Sequence, residues 1–212
     1  MKTTIIKLIT NEDFNSRFAE KLRGFIGNQF KEQVIFHNHL SKYEFLYKSS
    51  KIQYKIIDNK LAIVAIDDES SELLKNNILS LKEIVLDEKV YIINDFEIIE
   101  KDYNPSIDNE LYKYKFEGLW LAINQKNYID FKNGNFDFNK KLRNNILEFF
   151  KSINVWVDNQ ILVKGEYKTT PIKKKDTILI GTSGTFYTNA NLPDYIGLGK
   201  RKSIGFGTIK RI

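Results

Sequence analysis

The chain ends in a glycine-rich segment, Gly197-Leu198-Gly199-Lys200-Arg201-Lys202-Ser203-Ile204-Gly205-Phe206-Gly207, which holds four glycines and three consecutive cations. A backbone without side chains can approach a phosphate closely and turn its N–H groups toward it, while neighbouring cations supply charge. The spacing fits neither a dinucleotide-binding loop nor a P-loop, because both need a helix after the last glycine and only Thr208–Ile212 remains. The alternative is a glycine-rich turn between two terminal strands.

Basic residues concentrate toward the same end of the chain, although the formal net charge is only +6. Between Gln160 and Ile212, ten Lys and Arg residues stand against three Asp and Glu residues. Aromatic residues are interleaved with these cations, at Tyr167, Phe186, Tyr187, Tyr195 and Phe206. Single-stranded nucleic acid is bound by this combination, because phosphates need cations and unstacked bases need aromatic faces. A solvated lysine-rich surface is the alternative interpretation of the charge.

Length and composition exclude several classes of protein. A chain of 212 residues that is 42% hydrophobic can bury one sizeable core or two small ones. The absence of cysteine excludes disulfides, thiolate zinc sites, iron–sulfur clusters and cysteine nucleophiles. The apolar run Leu61–Ile66 is far shorter than a membrane-spanning helix. Residues Met1–Lys7 alternate between polar and apolar side chains, as a strand does, and lack the small-residue cleavage site of a secretory signal. We therefore expect a cytoplasmic protein that does not contact a membrane.

The first half of the chain predicts the element order β-α-β-β-α-β. An alternating strand is followed by a helix with Asn11 as its candidate cap, and two alternating runs joined by Asp58-Asn59-Lys60 predict a hairpin. A second amphipathic helix follows, with Ser70 and Ser71 as candidate caps. The four predicted strands are Thr3–Ile9, Ile52–Ile57, Leu61–Ile66 and Val90–Ile93. This order is the ferredoxin-like or RRM-like plan.

The second half predicts a similar but incomplete unit. A polar segment with the first proline of the chain predicts a linker at residues 104–110, between domains at residues 1–103 and 111–212. Beyond it we expect one helix that carries Leu142 and Ile146 on one face, and three strands, Tyr112–Ile123, Ile161–Tyr167 and Thr177–Ile180. The predicted fold class is α+β, with two tandem ferredoxin-like (RRM-like) domains, the C-terminal one remodelled and ending in the glycine-rich loop.

The only two histidines of the chain, His37 and His39, are separated by one residue. On a strand, such a pair points both imidazoles to one face, which suits acid–base work or metal binding. A metal would need a third ligand, such as Glu32 or Glu44, and no spacing demands one. The histidines could also be merely packed or hydrogen-bonded polar groups. Imidazole suits proton transfer around neutral pH because its ordinary pKa is near ~6.5.

Several motifs together resemble one known family. The glycine-rich segment has a hydrophobic residue inside its first G-x-G, cations in the middle and a closing G-x-G at the C-terminus. In this it resembles the CRISPR precursor-RNA processing endoribonucleases of the repeat-associated RNA-binding superfamily. The stretches Gly184–Asn189 and Leu192–Lys200 are similar to the C-terminal domain of the branch found with type I-B systems, and Leu22–Asn28, Phe36–His39 and Ile52–Ile57 resemble its N-terminal domain.

The resemblance implies metal-independent cleavage within CRISPR repeats by attack of the 2′-hydroxyl on the adjacent phosphate. Such cleavage leaves a 5′-hydroxyl and a cyclic or 3′ phosphate. We predict that His37 and His39 are catalytic, without assigning base and acid, and we expect no metal and no cofactor. Lys42, Tyr43, Lys51 and Lys55 stay open as candidates for a third catalytic residue. The predicted RNA-binding residues are Gly197, Gly199, Lys200, Arg201, Lys202, Gly205 and Gly207.

The expected partner is CRISPR repeat RNA, the precursor of crRNA. The resemblance leaves open a CRISPR effector complex and a homodimer as further partners. The main alternative is a non-catalytic crRNA-binding subunit of the same superfamily, which would have no need of paired imidazoles. A small-molecule enzyme that holds a nucleotide in the glycine-rich segment is disfavoured by the missing helix after Gly207.

Overall fold

The computed structural model describes residues 1–36, 50–174 and 177–212. The chain divides into two compact units, each with its own four-stranded antiparallel sheet. The first unit comprises Met1–Tyr103 and Ser203–Gly205, and the second comprises Asn104–Lys202 and Phe206–Ile212. None of the described helices is long and apolar enough to cross a membrane.

The first unit has the ferredoxin-like strand order. Its elements are β1 (Lys2–Ile9), α1 (Phe18–Gln29), a 3₁₀ helix (Val34–Phe36), β2 (Ile52–Ile57), β3 (Lys60–Ile66), α2 (Asp68–Ile78), β4 (Glu83–Leu86), β5 (Lys89–Ile92) and β6 (Asp95–Asp102). The sheet runs β2-β3-β1-β6, so the first strand lies between the third and the last, and β4 and β5 form a separate hairpin. Side chains from β1, β3, α1 and α2 form one buried core, including Ile6, Leu22, Ile63 and Leu74.

The predicted hairpin between β2 and β3 is present, with Asp58 and Asn59 as its two-residue turn. Both residues have positive φ angles, 51° and 60°. A two-residue hairpin turn of this type needs left-handed residues at both positions, and Asp and Asn tolerate that conformation better than most residues. The turn therefore sets the register, in which Ile57 pairs with Lys60 and Ile52 pairs with Ala65.

The fourth strand of the first sheet is not the one predicted. Val90–Ile93 was expected to be that strand, but residues up to Ile92 belong to the hairpin strand β5. The sheet is completed instead by β6, which pairs with β1 along its whole length. This strand lies at an edge, and most of its side chains are exposed and polar. Its hydrophobic alternation is irregular, because Ile98 and Ile99 are adjacent and every other residue of the strand apart from Phe96 is polar.

Both predicted helix caps in the first unit are wrong. Helix α1 begins at Phe18, beyond Asn11, and its capping residue Arg17 makes no side-chain capping bond. Helix α2 is capped by Asp67, whose carboxylate accepts a hydrogen bond from the Ser70 amide at 2.9 Å. An aspartate in this role satisfies a free amide of the first turn. The serines that were expected to cap the helix lie within its first turns and are buried.

The second unit repeats the strand order of the first with one helix missing. Its elements are β7 (Ser106–Phe116), α3 (Tyr128–Lys132), α4 (Phe138–Ser152), β8 (Val163–Lys174), β9 (Thr177–Asn191) and β10 (Ile209–Arg211). A 3₁₀ helix (Lys202–Ile204) begins at the last residue of this unit before Ser203–Gly205, which belong to the first unit. The sheet order is β10-β7-β9-β8. Between β9 and β10, where the ferredoxin-like plan has its second helix, there is only the glycine-rich segment with its short 3₁₀ helix. The prediction of two tandem ferredoxin-like domains, the second remodelled, is confirmed.

The start of the second unit differs from the sequence-based expectation. Strand β7 begins at Ser106, so most of the expected linker 104–110 is strand, and a register shift between Ile107 and Tyr112 interrupts its pairing with β9. Pro105 favours an extended conformation in the residue before it and is compatible with a strand that starts just after it. The strand expected over Tyr112–Ile123 ends at Phe116, after which Trp120 makes only an isolated bridge to Thr182.

We predict that Asp67→Ala lowers the free energy of unfolding by about 1 kcal/mol, the usual effect of losing a capping carboxylate. Asp67 has a φ of 116°, a conformation that glycine adopts easily. Asp67→Gly should therefore cost less than Asp67→Ala, although both remove the cap. Asp68→Ala is the control, because Asp68 is exposed in the same turn and caps nothing. Chemical denaturation measures all three, and equal losses for the alanine and glycine variants at residue 67 would contradict this account.

Candidate nucleic-acid interface

The glycine-rich segment forms a closed loop at the start of β10. The Leu198 amide donates to the Gly207 carbonyl at 3.0 Å, and Gly197 forms a backbone bridge with Thr208. The Gly207 amide donates to the Leu119 carbonyl at 2.9 Å, which fixes the far end of the loop to the backbone that follows β7. The two ends of the segment are therefore held together by backbone hydrogen bonds.

Two glycines in this loop are required by close packing. Gly207 has a φ of +63°, and a side chain there would place its Cβ 2.1 Å from the Leu198 carbonyl oxygen. Gly199 has a φ of +81°, and its Cβ would lie 2.8 Å from Asn145 Oδ1 and 2.9 Å from Trp120 Nε1. These two atoms are themselves joined by a buried hydrogen bond of 3.0 Å. No Cβ fits at either position without displacing its neighbours.

The three predicted phosphate-binding cations lie between the two pairs of glycines. Lys200 and Arg201 are exposed, and neither makes an ion pair with any described residue. Lys202 is half-buried and begins the 3₁₀ helix Lys202–Ile204. Arg201 has a positive φ of 54°. Exposed charged side chains on a loop with fixed ends can bind an anion with little further loss of backbone freedom.

The predicted RNA-binding glycines differ in their surroundings. Gly197 and Gly207 are buried, whereas Gly199 and Gly205 are partly exposed. A Cβ at Gly197 would lie 2.8 Å from Lys202 Cβ and 3.0 Å from the Phe206 carbonyl oxygen. Gly197, Gly199 and Gly207 thus have evident packing roles within the loop. Their part in binding RNA stays a prediction.

The interleaved aromatic residues fall into two groups. Phe186 is fully buried, and Tyr167 packs on Phe138 with ring centroids 5.3 Å apart. Burial raises the pKa of Tyr167 above its usual value, and its hydroxyl lies 2.9 Å from Asn139 Oδ1. Each of the other three has a lysine ammonium over its ring. Lys113 lies over Tyr187, Lys210 over Tyr195 and Lys174 over Phe206. Only this second group offers ring faces beside positive charge.

Sequence reasoning missed one of these cations. Lys113 lies on β7 directly opposite Tyr187 of β9, and its ammonium is 5.4 Å from the centre of that ring. It falls before Gln160 and so outside the stretch in which basic residues were counted. The signal was the alternation of lysine with tyrosine and phenylalanine over Tyr112–Phe116, where alternate residues of a strand share a face.

The predicted catalytic residues His37 and His39 lie outside the described residues, as do Lys42 and Tyr43. Two other candidates are described. Lys51 forms an ion pair with Asp67 at 3.2 Å, and Lys55 is buried on β2 with a relative exposure of 1%. In the described part of the chain, no group of three or more His, Cys, Asp and Glu residues could hold a metal ion.

The fold and the loop together define a class of protein built from two ferredoxin-like units, the second of which carries a glycine-rich loop in place of a helix. Family comparison identifies the branch. The Cas6b N-terminal domain matches residues 1–104, and the Cas6b C-terminal domain matches residues 106–212. The chain therefore belongs to the Cas6b family, which confirms the resemblance stated from its motifs.

Individual proteins are also similar to this chain. An uncharacterized protein of Methanocaldococcus jannaschii is 32% identical over 142 residues, which cover 64% of this chain and 96% of the relative. The crystal structure of a Cas6b protein has a TM-score of 0.90 at 29% identity, and each chain is covered completely. A second structure, described as the CRISPR RNA processing endoribonuclease Cas6b, has a TM-score of 0.77 at 26% identity, again with complete coverage of both chains.

We predict that Gly207→Ala lowers the free energy of unfolding by about 3 kcal/mol, because it combines a left-handed backbone with a backbone clash. Gly24→Ala is the matched control. Gly24 is an exposed residue inside α1 with no atom within 4 Å of a Cβ, so alanine there should raise stability by about 0.5–1 kcal/mol. Thermal or denaturant unfolding measures both. Opposite signs are expected, and a loss at Gly24 equal to that at Gly207 would contradict the packing role.

Proposed function

We propose that this protein is a metal-independent endoribonuclease that cuts CRISPR repeat RNA to release mature crRNA. Membership of the Cas6b family over the whole chain supports processing of CRISPR RNA. A solved relative with complete coverage is described as a CRISPR RNA processing endoribonuclease. The observation in this chain that supports RNA binding is the pair of exposed cations, Lys200 and Arg201, on a loop whose ends are fixed by backbone hydrogen bonds. Cleavage is supported by the family and by the histidine pair, His37 and His39.

The proposed reaction uses the RNA's own 2′-hydroxyl as the nucleophile. Its oxygen forms a bond to the adjacent phosphorus while the bond from phosphorus to the 5′-oxygen breaks. One imidazole of His37 and His39 accepts the 2′-hydroxyl proton, and the other, protonated, gives a proton to the leaving 5′-oxygen. The products are a 2′,3′-cyclic phosphate and a 5′-hydroxyl. No step consumes water or requires a metal ion, and the base and acid roles are not assigned between the two histidines.

The glycine-rich loop supplies the binding part of the proposal. Lys200, Arg201 and Lys202 would bind RNA phosphates, and the charge that develops on the attacked phosphate is stabilised by cations and amides already oriented toward it. Tyr187 and Tyr195, with a lysine beside each ring, are further candidates for contact with unpaired bases. Gly205 is partly exposed next to these cations and would let the RNA backbone come close.

The second candidate function is a crRNA-binding subunit that does not cleave. It is favoured by the same exposed loop, because Lys200 and Arg201 serve binding alone as well as they serve a nuclease. The two functions differ only in whether His37 and His39 transfer protons. A homodimer or a CRISPR effector complex could accompany either function.

The decisive experiment is cleavage of a labelled repeat RNA from the host's own CRISPR array, in EDTA. We expect a single cut by the wild type, no cut in a substrate with a 2′-deoxy nucleotide at that position, and a rate reduced at least about 100-fold in His37→Ala or His39→Ala. If the two histidines act as a unit, the double variant should lose little more than the worse single variant. End analysis should find a 5′-hydroxyl and a cyclic or 3′ phosphate.

Other outcomes separate the alternatives. Tight, salt-sensitive binding without any cut would contradict the nuclease and support the binding subunit. Cleavage that depends on a divalent metal and survives the 2′-deoxy substitution would contradict the proposed chemistry while keeping the substrate.

We predict that replacing both Lys200 and Arg201 by alanine lowers the salt dependence of RNA binding. Each phosphate contact on a single strand contributes about 0.7 to the slope of log K against log salt, so losing two contacts should reduce the slope by about 1.4. The matched control replaces Lys132 and Lys151, which are exposed and lie on or beside α3 and α4 of the same unit, and so removes the same net charge. Equal changes in slope for both double variants would show that only overall charge matters.

A further inference from the structure

The hydroxyl of Tyr54 is bonded to the backbone just before the paired histidines. It donates a hydrogen bond of 3.0 Å to the carbonyl oxygen of Phe36, the residue that directly precedes His37. Tyr54 and Phe36 each have a relative exposure of only 1%. A buried tyrosine hydroxyl needs a partner, and a buried carbonyl needs one equally. The bond therefore fixes the point at which the chain enters the histidine-bearing segment.

Tyr54 is itself held firmly. It lies in the middle of β2, where it pairs with Ile63 of β3, and it belongs to the main core of the first unit. Burial raises the pKa of Tyr54 above its usual value, against an opposing effect of the Arg23 guanidinium. The phenol consequently keeps its proton, and remains a donor, around neutral pH. Phe36 is held on its other side by Phe30, with ring centroids 5.3 Å apart.

Residues of α1 and β2 in the first unit also lie close to Ser203 and Gly205 of the glycine-rich segment. Arg23 of α1 donates a hydrogen bond of 3.2 Å to Ser203 Oγ, and Ser203 follows directly after the three cations. A Cβ at Gly205 would lie 3.6 Å from Ala19 Cβ and 3.8 Å from the Tyr54 carbonyl oxygen. Tyr54 thus contacts Phe36, the residue before His37, and Arg23 contacts Ser203, the residue after Lys202.

We propose that Tyr54 and Arg23 are positioning residues for the cleavage reaction, Tyr54 for the histidines through the Phe36 carbonyl and Arg23 for the RNA through Ser203. This inference rests on the proposed nuclease function. Neither residue is assigned a contact with the reacting atoms. Loss of the Tyr54 hydroxyl leaves the buried Phe36 carbonyl without its donor, so the entry to the histidine segment shifts. A displacement of about 1 Å at reacting groups can cost up to about 100-fold in rate.

The test of the first half is Tyr54→Phe, which removes one oxygen atom and keeps the ring. The rate of a single turnover at saturating RNA should fall about tenfold or more, while the Kd for a 2′-deoxy repeat RNA stays within about twofold. Tyr114→Phe is the matched control. Tyr114 is also fully buried, and in the second unit its hydroxyl donates to the Leu192 carbonyl at 3.1 Å and accepts from the Leu192 amide at 2.8 Å. Its loss therefore removes at least as much hydrogen bonding as the loss of the Tyr54 hydroxyl. Tm values of both variants show whether their losses of stability are comparable.

The test of the second half is Ser203→Ala, which removes the acceptor for Arg23. Here the Kd should rise at least about threefold while the rate at saturating RNA stays within about twofold, because the substitution loosens the binding segment and not the histidines. Ser80→Ala is its control, since Ser80 is exposed and its hydroxyl bonds only to the Asn77 carbonyl of its own unit.

The outcomes are separable from those of the proposed function. If the wild type does not cut, the proposed nuclease function is contradicted. If the wild type cuts and the Tyr54→Phe variant cuts at a rate within twofold of it, only the role of Tyr54 is overturned. Equal rate losses in Tyr54→Phe and Tyr114→Phe, at equal losses of Tm, would also overturn it, because the effect would then be one of general stability. An unchanged Kd in Ser203→Ala overturns the role of Arg23.

Discussion

The second unit depends on the close approach of Gly207 to Leu198. At this point backbone meets backbone, because a Cβ at Gly207 would lie 2.1 Å from the Leu198 carbonyl oxygen. The contact closes the glycine-rich loop and sends the chain directly into β10, which becomes the edge strand beside β7. A ferredoxin-like unit normally places a helix at this step. Here a closed loop replaces the helix, so one contact both completes the sheet and presents Lys200 and Arg201.

The loop and the residues just before it keep side chains where the backbone disfavours them. Arg201 and Tyr195 both have positive φ angles, 54° and 62°. In the hairpin between β2 and β3 the left-handed positions are occupied by Asp58 and Asn59, residue types that tolerate this conformation. Arginine and tyrosine have no such tolerance, and each costs about 1 kcal/mol relative to glycine. Strain of this kind persists only where the surrounding structure holds the residue in place. The two side chains held in this way are an exposed guanidinium and a ring beside the Lys210 ammonium.

The sequence predicted the plan of the fold where local pattern and tertiary packing agree. The hairpin at Asp58 and Asn59 is correct because its turn chemistry and its hydrophobic alternation point the same way. The fourth strand, Asp95–Asp102, was missed because an edge strand with polar side chains has little alternation to detect. Among the interleaved aromatic residues, composition could not distinguish the buried Phe186 from Tyr187, its neighbour in sequence, which is 44% exposed. Only the pairing of β9 with its neighbours decides which face each residue occupies.

For the candidate site, too, local features could be predicted from the sequence and non-local contacts could not. The residue types were visible as motifs, since a glycine-rich loop with cations and a histidine pair are local patterns. The contacts that hold those motifs are not local. Tyr54 and Phe36 are 18 residues apart, and Arg23 and Ser203 are 180 residues apart. No spacing rule links an ordinary tyrosine in a strand or an arginine in a helix to such partners. Because the entropic cost of closing a loop grows only slowly with its length, a fold can recruit such distant supports, and only the folded arrangement identifies them.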